Sequence, residues 1–126
     1  MTVNESETTS EFLDVDATAI HLTNNVSATV KYTCGFRCCD LAITTTDGHR
    51  GTGEGIGSSA CESLDNGILS FNSWEQMMSG TNDWQTKIEG QNILILFTRE
   101  GKPVAQFVGP NEGFPRAEGQ MVWSVV

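Results

Sequence analysis

Cysteine is the residue type in this sequence whose number and spacing most directly predict chemistry. The four cysteines are Cys34, Cys38, Cys39 and Cys61. An even number in a small domain allows several disulfide connectivities. One pairs Cys34 with Cys39 and leaves Cys38 for Cys61, whereas a vicinal Cys38–Cys39 bond is disfavoured because it is strained. Free, partly buried cysteines that pack as small hydrophobic side chains are the alternative.

A zinc site is the third possibility for these cysteines. Three of the thiolates could bind the ion together with His49. The Cys-x3-Cys-Cys spacing does not match the paired Cys-x2-Cys motif of structural zinc sites. The sequence therefore predicts no metal and no cofactor.

The second candidate for chemistry is a glycine-rich stretch from Asp47 to Ser59. Glycine is unfavourable in helices and strands, so this stretch is predicted to be a long mobile loop. Its glycines are Gly48, Gly51, Gly53, Gly55 and Gly57. Backbone N–H groups at Gly51 and Gly53, together with His49 and Arg50, could bind an anion. The stretch lacks the Gly-Lys-Ser/Thr sequence of a phosphate loop, and a plain connection between strands is the alternative.

The few residues suited to catalysis are not arranged for it in the sequence. His21 and His49 are the only histidines, and nothing nearby would activate a cysteine beside either of them. Asp40, Asp47 and Glu54 could pair as glycosidase-like carboxylates. Such pairs arise by accident in a chain with 16 acidic residues, so the sequence favours a protein that is not an enzyme.

Aromatic residues provide two possible binding surfaces. Phe36 and Arg37 are predicted at the tip of a hairpin, where an exposed aromatic side chain beside arginine is typical of an interface anchor. The alternative is that Phe36 folds back over the sheet. An aromatic shelf for a ligand could be built from Trp74, Trp84 and Phe71, although large aromatic residues more often fill the core.

Two hairpins are the strongest structural signals and would position these residues. In the hairpin from Val26 to Thr46, one apolar face forms only if Cys34 lies opposite Cys39 and Tyr32 lies beside Leu41. Shifting this register by one residue mixes apolar and polar side chains on each face.

The other hairpin, from Ile93 to Val108, is apolar on both faces. A type I turn with a left-handed Gly101 predicts a three-residue loop, which sets Ile93 opposite Phe107. Either a short helix covers the outer face of this hairpin, or that face is the interface of a homo-oligomer.

The remaining elements are shorter. Ser73 and Gln76 form a capping-box pattern that predicts a helix of about two turns. Short strands are predicted at residues 60–64 and 68–71, around a turn at residues 65–67. The predicted fold is a single-domain antiparallel β-sandwich or barrel with one short helix; a small α+β sheet is the alternative. Residues 1–11 are predicted to be a flexible acidic arm and residues 12–126 a single β-rich domain.

Charge and length restrict the classes of partner. The 126 residues carry a formal net charge of −9, which disfavours direct binding to nucleic acid and favours a basic protein partner. No apolar stretch is long enough to span a membrane, and no signal peptide is visible at the N-terminus.

The predicted function is that of a small acidic protein that binds another protein, such as an inhibitor, an immunity protein or a phage-type antagonist. A cytoplasmic location is expected, in the host cell if the protein is viral. One alternative is a secreted, disulfide-stabilised toxin, effector or lectin-like module. The other is an oligomeric protein that sequesters a small molecule.

Overall fold

The computed structural model of the protein describes residues 22–35, 38–57, 61–111 and 116–126. Within them, eight antiparallel strands close into a barrel, accompanied by one short helix. The strands are β1 (Asn24–Cys34), β2 (Cys39–Thr45), β3 (His49–Gly57), β4 (Cys61–Phe71), β5 (Asn82–Glu89), β6 (Asn92–Arg99), β7 (Lys102–Pro110) and β8 (Ala117–Val125), and the helix is α1 (Trp74–Met78). The predicted mainly β fold is confirmed, in its barrel form.

The barrel consists of two Greek keys of the same topology. The strand order around the barrel is β1-β2-β3-β8-β5-β6-β7-β4. In the first half, β4 returns beside β1, and in the second half, β8 returns beside β5, which is the Greek-key arrangement. The pairs β3–β8 and β4–β7 join the two halves and close the barrel. A closed barrel leaves no unpaired sheet edge.

The register of the first hairpin confirms the sequence argument. Cys34 pairs with Cys39, and Tyr32 pairs with Leu41, as the one-sided apolar pattern requires. These four side chains are all buried inside the barrel. The residues between them along both strands point outward, so this part of the barrel wall has one apolar and one solvated face.

The prediction of a mobile glycine loop is wrong. Residues 49–57 form strand β3, which pairs with β2 on one side and β8 on the other. The glycines at alternate positions face the interior, where Gly51 and Gly53 lie against Trp123 and Trp84. A Cβ at Gly51 would stand 2.9 Å from the Trp123 ring, so only glycine leaves room for the indole there. The conformational cost of glycine predicts a loop, whereas the space that the two tryptophans need explains the glycines of this strand.

The predicted turn at residues 65–67 is also wrong. Strand β4 runs without interruption through Asp65 and Gly67, pairing with β1 along its whole length. Gly67 is needed for packing, because a Cβ there would lie 2.7 Å from Cζ of Phe107. An Asp-Asn-Gly sequence that normally marks a turn therefore lies within a strand here.

The hairpin from β6 to β7 keeps its predicted faces but not its register. Ile95 pairs with Phe107, and the pairing shifts at Phe97 and Thr98, where a β-bulge interrupts the ladder. Glu100 and Gly101 both have positive φ angles, 53° and 80°, which is the pattern of a two-residue turn. The three-residue loop predicted from the sequence is therefore wrong.

Helix α1 closes one end of the barrel. Ser73 is its N-cap and accepts a hydrogen bond from the backbone N–H of Gln76 at 3.1 Å, as the sequence predicted. At the other end, Nη1 of Arg99 donates to the Gln76 carbonyl at 2.7 Å, which places a cation at the helix C-terminus. Met77 is fully buried beneath the helix. Because α1 packs over the barrel end, it is not the predicted cover of the β6–β7 outer face.

The predicted arm of residues 1–11 lies outside the described residues. So do His21 and the hairpin tip at Phe36 and Arg37. No helix among the described residues is long and apolar enough to cross a membrane.

Candidate functional site

The helix end of the barrel holds a compact cluster of polar and aromatic side chains. The Nδ1–H of His49 donates to Oδ1 of Asp47 at 3.1 Å, and Nε1–H of Trp74 donates to Oδ2 of Asp47 at 2.8 Å. The hydroxyl of Thr45 donates to the same carboxylate. The His49 ring stacks on the Trp74 indole with centroids 3.9 Å apart.

These contacts determine the ionisation of Asp47. Desolvation raises its pKa, but the hydrogen bonds from Thr45, Trp74 and His49 together outweigh that effect and lower the pKa below its usual value of 3.8. The carboxylate thus stays ionised and holds the β2–β3 turn against the helix. Phe71 also packs against Trp74, with centroids 4.4 Å apart, so the indole contacts both the His49 and the Phe71 ring.

The cysteines lie at the opposite end of the barrel from His49. Cys39 pairs with Gly55, six residues from His49 along β3, which is a separation of roughly 20 Å in an extended strand. Three cysteines and His49 therefore cannot share one metal ion. Among the described residues, no group of three or more histidine, cysteine, aspartate and glutamate side chains could hold a metal.

Cys34 and Cys39 form a disulfide across the β1–β2 hairpin. Gly57 lies over this bond, because a Cβ there would stand 2.6 Å from Sγ of Cys39. Cys38 is an exposed free cysteine, so the Cys38–Cys61 disulfide that the sequence allowed is not formed. The backbone of Cys61 pairs with Cys34 from the other side, while its side chain lies outside the described part.

The outer surface of the barrel carries an unusual row of carboxylates. Cross-strand pairing places Asp40 directly beside Glu54, and Gln120 lies between Glu54 and Asp83. Glu118 lies on the same surface, opposite Ile56. We name this surface the acidic strip: Asp40, Glu54, Asp83 and Glu118. All of its members are exposed, and no described lysine or arginine forms an ion pair with them.

Two shallow depressions lie along the acidic strip. One, of about 760 Å³, is lined by residues that include Asp40 and Glu54. The other, of about 470 Å³, is lined by residues that include Asp83 and Glu118. Ile56 borders both and is 63% exposed. The surface thus combines negative charge, two shallow depressions and an exposed apolar side chain.

The other residues predicted from the sequence do not converge on one site. His49 and Arg50 point to opposite sides of β3, and Arg50 is exposed. Gly51 and Gly53 face the tryptophans inside, with the β3 backbone engaged in ladders on both sides. Binding of an anion by these residues stays a prediction. The mobile glycine-rich loop on which that prediction was based is strand β3 in the structure. Trp84 is buried in the core and takes no part in a surface shelf.

The sequence indicated Asp40 and Glu54 as possible catalytic carboxylates. The β2–β3 register instead sets them side by side on an open surface. One sequence signal could have predicted this surface. From Gly51 to Gly57, glycine occupies every second position and Glu54 lies between two of these glycines, and a period of two is typical of a strand. Once β3 is assigned as a strand, the pairing of Asp40 with Glu54 follows from the hairpin.

Solved structures of other proteins have a similar barrel fold. The virulence-associated protein VapB from the intracellular pathogen Rhodococcus equi matches it with a TM-score of 0.72 at 11% sequence identity, over 82% of this chain and 98% of that chain. The virulence-associated protein VapD from the same organism matches with a TM-score of 0.71 at 14% identity, over 80% and 97% of the two chains. No family model and no curated protein matches the sequence. At these identities the likeness shows the fold alone.

Proposed function

We propose that this protein is a non-enzymatic binding protein that engages a basic surface of a protein partner through the acidic strip. The observation that carries the proposal is the cross-strand pairing of Asp40 with Glu54 without a neutralising cation among the described residues. Like charges directly opposite each other destabilise a sheet. A partner that supplies lysine or arginine side chains would remove this repulsion, so the free protein is arranged to gain from binding.

The exterior of the barrel supports this proposal better than the interior does. The inner space is filled by large side chains, including Trp84, Tyr32 and Phe107, each almost completely buried. The depressions along the acidic strip are open and shallow. Such a surface suits a protein or peptide better than a small molecule, for which an enclosed apolar pocket is typical. Exposed Ile56 and Val122 would supply apolar contact beside the charges.

The disulfide supports a secreted location in place of the cytoplasmic one expected from the sequence. Disulfides persist in oxidising compartments and are rare in the cytosol. The fold likeness to VapB and VapD supports the same assignment, because both are described as virulence-associated proteins. In this proposal the protein acts outside the cell that produces it, on a basic component of another organism.

Titration with a lysine-rich peptide tests the charge mechanism. We expect a decapeptide of alternating lysine and alanine to bind the intact protein at low salt, and the affinity to fall several-fold in the Asp40→Asn/Glu54→Gln variant. The variant Glu89→Gln/Glu100→Gln removes the same charge from the two turns that flank β6 and serves as the control. Equal losses in both variants would show a net-charge effect and overturn the assignment to the strip. Binding that is unchanged at about 0.5 M salt would exclude electrostatic steering.

A further inference from the structure

The two depressions along the acidic strip join into one groove that runs across the strands. They share four lining residues: Gly55, Ile56, Gly119 and Gln120. The midline of the groove is a single row of cross-strand partners, one from each of five neighbouring strands: Asp40, Glu54, Gln120, Asp83 and Thr98. We name this surface the transverse groove. Its course is determined by the backbone register of β2, β3, β8, β5 and β6.

Glycine forms the floor of the transverse groove, and apolar side chains border it on both sides. Gly55 and Gly119 pair across the β3–β8 seam, where a Cβ on Gly55 would stand 2.0 Å from the Glu118 carbonyl oxygen. Only glycine fits there, so the middle of the groove is bare backbone. Ile56 lies on one side of the midline and Val122 on the other, and they are 63% and 53% exposed.

We infer that the part of the partner that fills the transverse groove is a cationic α-helix lying across the strands. The helix carries lysine or arginine once per turn on the side that faces the midline, with apolar residues on both flanks of that stripe. Its cations meet Asp40, Glu54 and Asp83, and its apolar residues meet Ile56 and Val122. The inference rests on the proposed function, because it specifies the structure of the partner that the acidic strip binds.

The pairing along the groove excludes a partner that adds a strand to the sheet. Each residue of the midline has a cross-strand partner on both sides. The groove therefore offers no row of unpaired backbone groups to an extended peptide, which binds to a sheet through such a row. A partner is held there by side chains. A helix suits that kind of contact because its own backbone groups are already hydrogen-bonded.

The width of the groove matches a helix. Val122 pairs with Thr52, which is four residues from Ile56 along β3. The rows that hold the two apolar side chains are therefore roughly 13 Å apart, and an α-helix with its side chains is about 10–12 Å across. A helix can lie over the glycine floor and contact both rows.

The spacing of the carboxylates along the groove also matches a helix. Neighbouring strands lie about 4.8 Å apart, which is close to the helical pitch of about 5.4 Å, so a cation on each turn meets one strand after another. From Asp40 on β2 to Asp83 on β5 the midline spans three strand spacings, or nearly three turns. The long side chains of lysine and arginine can reach the carboxylates at both ends, where the barrel wall curves away.

Two synthetic peptides of equal composition test the inference on the intact protein. One, of roughly sixteen residues, places lysine at every third or fourth position and leucine on both flanks of the lysine stripe. The other contains the same residues in an order that forms no stripe. We expect the striped peptide to bind several-fold more tightly in isothermal titration calorimetry. Its circular dichroism, measured by difference, should become helical on binding.

A pair of variants tests the apolar borders of the groove. Ile56→Ser/Val122→Ser should weaken binding of the striped peptide several-fold and leave binding of the other peptide unchanged. The matched control is Leu64→Ser/Ile68→Ser, which removes two side chains that are 63% and 47% exposed from the outer side of β4. This control should leave both affinities unchanged.

The direction of the helix can be measured without changing the protein. With a nitroxide amino acid at one end of the striped peptide, we expect the amide resonances around Asp40 to broaden. With the nitroxide at the other end, we expect broadening around Thr98. Broadening confined to β3 and β8 from both ends would mean that the helix lies along the strands, which overturns the inference.

The peptides also separate this inference from the proposed function. Equal affinities of the two peptides, both reduced in Asp40→Asn/Glu54→Gln, would leave the charge contact in place and overturn the helix. Binding of neither peptide would overturn the proposed function, and the inference with it.

Discussion

The imidazole of His49 lies flat on the indole of Trp74, with ring centroids 3.9 Å apart and planes 9° from parallel. Both rings also donate a hydrogen bond to Asp47, which lies in the turn before β3. One carboxylate therefore links the β2–β3 turn to helix α1. This link stabilises the helix end of the barrel, because a helix of five residues depends on docking for its stability.

The first prediction concerns Asp47 and acid. Its pKa in the folded protein is lowered, so its stabilising effect is complete above about pH 4 and is lost as the pH falls through the lower folded value. We expect Asp47→Asn to lower the melting temperature by several degrees near neutral pH, and the difference from the original protein to shrink below about pH 4. Thermal unfolding followed by circular dichroism across this range measures both effects.

The control for this prediction is Glu89→Gln, at the exposed end of β5. Its melting curve should follow that of the original protein at each pH. A melting temperature for Asp47→Asn that differs by the same amount at every pH would contradict the role of the ionised carboxylate.

The second prediction tests the packing of β3. Gly53→Ala would place a methyl group 3.0 Å from Nε1 of Trp84 and 2.5 Å from the backbone oxygen of Gln120. Those two atoms are hydrogen-bonded to each other at 3.1 Å, so the methyl group strains their contact as well. We expect the free energy of unfolding in urea to fall by about 1–3 kcal/mol.

Thr52→Ala is the matched control for the glycine, because Thr52 is on the same strand and points outward. Its free energy of unfolding should change by less than about 0.5 kcal/mol. Similar stability for Gly53→Ala and the original protein would show that the glycine is there for another reason.

The contrast between β2 and β3 explains what the sequence could and could not predict. The β1–β2 hairpin was predicted in its correct register because alternating apolar residues meet in only one register, the one that joins Cys34 and Cys39. Strand β3 was missed because its inward face has glycines where apolar side chains would normally provide the signal. The side chains that fill this space, Trp84 and Trp123, come from strands distant in sequence.

The candidate site was predicted less well than the fold for a related reason. His49 and Asp40 were recognised as individual residues with possible chemistry. Their neighbours depend on long-range pairings such as β3–β8, which no local pattern specifies. Trp74 stacks on His49 because α1 packs over the end of the barrel. Local sequence patterns therefore predicted strands and the helix cap. Which side chains become neighbours on the surface depends on the long-range strand pairing that closes the barrel.

The third prediction concerns the disulfide. Alkylation of the denatured protein followed by mass spectrometry should label two more cysteines after reduction than before it, namely Cys34 and Cys39. Replacing both by serine should lower the free energy of unfolding by about 2 kcal/mol, the expected effect for a cross-link that closes a short loop. Cys38→Ser should leave the stability unchanged. Four reactive thiols before reduction would contradict the disulfide and remove an argument for secretion.

The fourth prediction uses the turn between β6 and β7. Glu100 has a φ angle of 53°, which costs a residue with an ordinary side chain more than it costs asparagine. We expect Glu100→Asn to raise the free energy of unfolding by roughly 0.5–1 kcal/mol. Gly101→Ala, at φ 80°, should have the opposite sign. Equal effects of the two substitutions in urea unfolding would disprove the assigned turn geometry.

The way the barrel closes has a consequence for how the chain folds. His49 pairs with Val125 along the β3–β8 seam, and residues so far apart in sequence meet only after a large loss of chain entropy. Folds rich in such contacts have high contact order and fold slowly. Strand β3, with a glycine-lined inner face, has little to bury until the tryptophans of the second Greek key arrive. Folding should therefore begin in the local hairpins and end with the docking of β8, leaving the β3 edge open to pairing with other chains until then.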